Sequence, residues 1–158
     1  MDKEVNMSKR NWNRAARRAA SLLVALCMLC ALVPAAALAY ANNGWTESVV
    51  ATDENQTEQF DSVTSTEETP GGIYVWAENG HDANVTVNGA IDADYSAAYI
   101  GVNGEGSNAT LKSDDVTSER NNGVDINADE GGAATVDVGD VEASNNAVIV
   151  YADDNSKV

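Results

Sequence analysis

Carboxylates are the most abundant reactive groups in this 158-residue chain: 25 Asp and Glu stand against nine Lys and Arg and one histidine. Glycoside hydrolysis needs two carboxylates a few ångströms apart, and Asp114-Asp115 is the nearest sequence approach to such a pair. Gly80-His81 supplies the sole imidazole. Acid pairs are common in so acidic a chain, so Asp114-Asp115 is read as a solvated corner and His81 as a surface turn residue. A lone histidine in a turn makes no credible Ser-His-Asp set. Asn103-Gly104-Glu105-Gly106 leads into no helix and so is no phosphate loop. No catalytic, cofactor or metal residue is therefore assigned. Calcium takes about six to eight oxygen ligands. Asp129, Glu130, Asp153, Asp154 and Asn155 offer oxygens without an EF-hand loop, which permits diffuse, weak calcium binding at most. Tyr74, Trp76, Tyr95, Tyr99 and Tyr151 are the remaining chemistry-bearing residues. Flat rings in a row on a surface grip sugars, and Tyr74, Trp76, Tyr99 and Tyr151 are the glycan-stacking candidates. The same rings serve equally as core or stacked caps, and the core is the default expectation.

The charge is divided sharply along the chain. Residues 1–41 hold Lys3, Lys9, Arg10, Arg14, Arg17 and Arg18 against Asp2 and Glu4, a net +4. Residues 42–158 hold Lys112, Arg120 and Lys157 against 23 acids, a net −20. Such an asymmetry marks a targeting segment. Basic residues from Lys9 to Arg18 precede an apolar run, Ala19 to Ala41, that ends in small residues. This is the pattern of a secretory signal peptide over 1–41, with cleavage expected after Ala39 or Ala41. The run approaches the length of a membrane span, so an uncleaved segment is the one expected membrane contact. Cys27 and Cys30 both lie in the run, leaving a mature chain without disulfides or thiolate ligands. The acidic remainder excludes nucleic acid, since phosphate binding needs clustered Lys and Arg.

Residues 42–70 are rich in Ser, Thr, Glu and Asp, with sparse, aperiodic apolar residues. Such a composition buries too little surface to offset its ordering entropy, and a disordered acidic linker is expected. Val49-Val50 offers the alternative of a first, degenerate rung. From residue 71 the composition changes. The chain after Ala41 contains 15 Val and 5 Ile but a single Leu, Leu111. Beta-branched residues favour strands, and glycines beside Asn or Asp favour turns.

The chain also matches itself at an offset of 25 residues. Ile91, Val116 and Val141 align, as do Ala93, Ser118 and Ala143. Tyr74, Tyr99, Val124 and Ile149 align without gaps, and Asn79-Gly80, Gly104-Glu105 and Asp129-Glu130 fall together as turns. The units run 71–95, 96–120, 121–145 and a partial 146–158. Each contains three short strands, with a one-residue indel after the second. Three strands per unit suit one rung of a parallel β-helix better than an antiparallel sandwich, which does not require the self-similarity. The inward face of the first strand stays open, because Val148-Ile149-Val150-Tyr151 is apolar throughout. The strand after Asn155 lacks its next apolar residue within the chain, which suggests a reading frame truncated after Val158.

The run Gly131-Gly132-Ala133-Ala134-Thr135-Val136-Asp137-Val138-Gly139-Asp140-Val141-Glu142-Ala143 resembles a rung of the pectin-lyase-like, right-handed β-helix repeat proteins. It is most similar to those of secreted or surface adhesin-like bacterial proteins. The resemblance covers 71–158 and implies an all-β, single-stranded right-handed parallel β-helix of about 3.5 rungs. It implies an extracellular, adhesive or structural protein whose partners are host or microbial surface glycans or proteins. Enzymes of the fold act on acidic polysaccharides. The basic clusters and metal-bound Asp that they use are missing here, and the order of Asp114-Asp115 and Gly80-His81 is reversed. The expectation is a non-enzymatic protein, with a truncated carbohydrate-active enzyme or a glycan-binding module as alternatives.

Overall fold

The structure, a computed structural model, describes residues 44–158. The expected signal segment 1–41, with its cleavage candidates Ala39 and Ala41, lies outside the described residues. Strands β1 (Trp45–Ala51), β2 (Gln56–Phe60) and β3 (Val63–Thr64) make a first coil. Strands β4 (Gly71–Glu78), β5 (Asp82–Val87) and β6 (Ile91–Ala93) make the second. The third coil is β7 (Ala98–Asn103), β8 (Asn108–Lys112) and β9 (Val116–Ser118). The fourth is β10 (Val124–Asp129), β11 (Ala133–Asp137) and β12 (Val141–Ala143), after which β13 (Val148–Ala152) returns to the first side. Equivalent strands of successive coils pair in parallel, giving three sheets in the orders β1-β4-β7-β10-β13, β2-β5-β8-β11 and β3-β6-β9-β12. The fold is thus an all-β parallel solenoid of about four coils.

Period-two alternation decides which side chains face inward. In the first sheet Val49, Val75, Ile100, Ile126 and Val150 form one registered column. Val85, Leu111 and Val136 form a column in the second sheet, and Val63, Ile91, Val116 and Val141 in the third. Ile73, Ile91, Ile100 and Leu111 have no solvent exposure. These columns merge into one core, and full burial of each such side chain contributes about 1.5–3 kcal/mol. The inward face of the first strand, open from sequence, is therefore Ile73, Val75 and Ala77. Tyr74 and Trp76 point outward.

Small residues close the corners between the first and second sheets. Asn79-Gly80 and Glu130-Gly131 both take positive φ. The freed Gly80 N–H donates to Ser107 Oγ at 2.9 Å, and Gly131 N–H to Ser156 Oγ at 3.1 Å, each from one coil to the next. The same device thus recurs two coils apart.

Two sequence expectations are corrected. The segment 42–70, expected to be a disordered linker, contributes β1, β2 and β3 from residue 45 onward, each paired with the second coil. Its apolar pattern is diluted because several inward positions are polar: Glu47 registers with Ile73, Gln56 with Ala83 and Glu58 with Val85. Glu58 is exposed and Glu47 and Gln56 are half-buried, so polar residues cost little at these positions, while Val49, Ala51 and Val63 of the same coil are buried. The second correction concerns register. Tyr74 pairs Tyr99 as expected, but Tyr99 pairs Asp125, and Asp125 pairs Ile149. Val124 instead continues the inward column of Ile73 and Ala98. The extra residue sits in the corner before β10, where 26 residues rather than 25 separate Ile100 from Ile126.

Candidate functional site

None of the five candidate rings enters the core. Tyr74, Trp76 and Tyr99 form a half-buried row on the outer face of the first sheet, which corrects the default expectation. Parallel pairing brings Tyr74 of β4 beside Tyr99 of β7, with ring centroids 5.2 Å apart and planes within 4°. Trp76 lies 6.4 Å from Tyr74 at 10°. Trp45 of β1, which the sequence reading did not single out, leans over both tyrosines at 5.9 and 6.4 Å. These separations fall in the attractive range for aromatic pairs.

Glycine makes room for both indoles. Trp45 registers with Gly71, and Trp76 with Gly101. A Cβ on Gly101 would stand 2.3 Å from a Trp76 ring carbon, and one on Gly71 2.8 Å from a Trp45 ring carbon. Each indole therefore rests on the bare backbone of the following coil. Trp76 Nε1 donates to Glu78 Oε2 at 3.1 Å, which fixes the ring's direction. Gly101→Val is expected to lift Trp76 off the sheet. The check is near-ultraviolet circular dichroism, in which the aromatic signal changes while the far-ultraviolet strand signal is retained.

The row ends at Tyr99 because Asp125, its partner in the next coil, carries no ring. Beyond Tyr99 a groove of about 740 Å³ opens over β10 and β13. Asn122, Asp125, Asn127, Asp129 and Ile149 line it, and the exposed Tyr151 and Asp153 stand on its far side. Asn122 Nδ2 donates to both carboxylate oxygens of Asp125 at 3.0 and 3.2 Å. Asn122 Oδ1 accepts from Asn145 and Asn146 Nδ2 at 3.0 and 3.1 Å. This amide chain holds the Asp125 carboxylate in place at the edge of the groove. Rings beside fixed oxygen acceptors can pack against the C–H face of a sugar and receive its hydroxyl protons.

Of the four stacking candidates, Tyr74, Trp76 and Tyr99 come together. Tyr151 is not in their stack, but it registers with Asn127 and joins the same face from across the groove. Tyr95 lies on a corner, away from the row, with 53% of its surface exposed. Asp125 and Asn122 escaped the sequence reading because the ungapped alignment placed Val124 in the column of Tyr74 and Tyr99. The Asn-rich corners at 121–122 and 145–146 were the available signal.

The other chemistry-bearing residues are scattered. His81 precedes β5 and Asp114-Asp115 follows β8, so they stand at opposite ends of the second sheet. Asp115 Oδ1 accepts the Asp140 N–H at 3.1 Å, a contact between successive corners. Asp129, Asp153 and Asp154 bring carboxylate oxygens within 4.8 Å of one another. Two of these already accept backbone N–H groups: Asp129 Oδ1 from Glu130 at 2.8 Å and Asp153 Oδ1 from Asp154 at 2.7 Å. Glu130 and Asn155 extend from the same corners. Arg120 pairs with Asp94 at 3.0 Å on the surface, where such a pair contributes little.

No protein-family model, no curated protein and no solved structure matches this chain.

Proposed function

We propose that this chain is a secreted or cell-surface β-helix protein with an adhesive, non-catalytic role, and that it holds saccharide on the outer face of its first sheet. One observation carries the reading. A row of outward rings, seated on glycines, runs into a groove edged by an oriented carboxylate and two amides. Rings packed this way are already ordered before a ligand arrives, so little conformational entropy is lost on binding. The N-terminal charge and hydropathy pattern supports export. The repeat at 131–143 supports kinship with pectin-lyase-like, adhesin-like solenoids. The alternative of a carbohydrate-active enzyme fragment has less support, because the one histidine and the Asp114-Asp115 pair sit at separate corners.

The test is titration of the chain with neutral oligosaccharides of differing linkage, followed through tryptophan fluorescence, with the saccharide recovered and sized afterwards. The expected result is saturable quenching or enhancement with the saccharide intact. Shortened products would favour the enzyme fragment, and no response with any saccharide would overturn the reading.

A further inference from the structure

We propose that the groove beyond Tyr99 selects a saccharide bearing a protonated amino group, a hexosamine with its amine free, over neutral and acidic sugars. The inference rests on the saccharide reading above and names the ligand class of that site. Asp125, Asp129 and Asp153 line the groove, and no Lys, Arg or His is among the lining residues described. Arg120, two residues before Asn122, pairs with Asp94, and Lys157 belongs to the corner after β13, where its backbone bonds Gly132 and Ala134.

Acidity alone would attract any cation, but this groove offers more than charge. The Asp125 carboxylate is held by Asn122, which is itself held by Asn145 and Asn146. A carboxylate fixed this way keeps lone pairs free for a ligand at a defined place. An ammonium brings three donors and no acceptor, so it satisfies acceptor-only walls more completely than a hydroxyl does. Tyr99 and Tyr151 add ring faces, to which a cation is drawn. A uronate would place like charge against three carboxylates, a repulsion that discriminates strongly between partners. N-acetylation removes the charge and adds bulk, and so separates the amine's contribution from that of the sugar ring.

The experiment uses the full chain and three trisaccharides: glucosamine, its N-acetylated form and galacturonate. Binding is measured by calorimetry at mildly acidic pH, where the amine is protonated. The glucosamine form is expected to bind about tenfold more tightly than the acetylated form, the gain of one charge-assisted contact. Asp125→Asn, which keeps shape and loses charge, should erase that advantage, weakening the glucosamine form more than the acetylated form. Asp153→Asn should reduce it in the same direction. Glu142→Gln removes one charge from the outer face of β12, on another sheet, and should change nothing. Equal binding of the two glucosamine forms overturns the amine proposal while leaving the saccharide reading intact. So does an equal effect of Asp125→Asn and Glu142→Gln, which would mean bulk charge attraction. Preference for galacturonate also overturns it. Failure of all three to bind overturns both.

Discussion

Ile100→Asp is expected to abolish the solenoid, leaving a chain with no strand signal in far-ultraviolet circular dichroism and no cooperative melt. Ile100 lies at the centre of the column Val49, Val75, Ile100, Ile126 and Val150, and has no solvent exposure. Its neighbours in the core are aliphatic, so a carboxylate there would be buried without a partner. Such burial costs several kcal/mol, or forces protonation at comparable cost, against a total stability of about 5–15 kcal/mol for a domain. A solenoid has no distant core to compensate, because each coil touches only its neighbours. Thr110→Asp is the matched control. Thr110 faces outward on β8 between Asn84 and Thr135, and the same new charge there should shift the midpoint by at most a few degrees, an effect of about 0.5 kcal/mol. Equal tolerance of both substitutions would contradict the assignment of inward and outward faces.

The second large effect concerns the outer face. The double variant Trp76→Ala, Tyr99→Ala is expected to lose at least about 30-fold in saccharide affinity, the equivalent of one aromatic hot spot of about 2 kcal/mol. The two losses should not add, because both rings pack on Tyr74 and beside the backbone of Gly101. The half-buried positions predict a lower melting midpoint with cooperativity retained. Tyr95→Ala, an exposed ring outside the row, should leave affinity unchanged. If the double variant binds as well as the parent chain, the aromatic row is a packing device and not a binding face.

The repeat was legible in the sequence because burial imposes it. Ile91, Val116 and Val141 must each fill the same interior column, so their 25-residue spacing survives turnover of the intervening residues. The one-residue indel in the second sheet was legible too, from the position of Val136 relative to Val85. Three features were hidden, each for a physical reason. The first coil was legible only as the alternative that Val49-Val50 offered, because Glu47, Gln56 and Glu58 occupy register positions that are half-buried or exposed and so dilute its apolar pattern. The aromatic row was mistaken for core because Ile73-Tyr74-Val75-Trp76 is apolar on both faces, so alternation of polarity could not separate inside from outside. Asp125 was lost to a single inserted residue in a corner. A slip of one position moves every side chain to the other face of a strand, and here it replaced the expected valine with the carboxylate that edges the groove. The candidate site was therefore legible in its rings and illegible in its polar half.

The central claim is that saccharide binds on the outer face of the first sheet. Amide and indole chemical shifts of the isotope-labelled chain, recorded during titration with a saccharide that binds, test it most directly. The account predicts that the shifts cluster on the Trp45 and Trp76 indole N–H groups, on the backbone of β7 and β10 around Tyr99 and Asp125, and on the Asn122 side-chain amide. Shifts concentrated on the second or third sheet, with those groups unmoved, would contradict it.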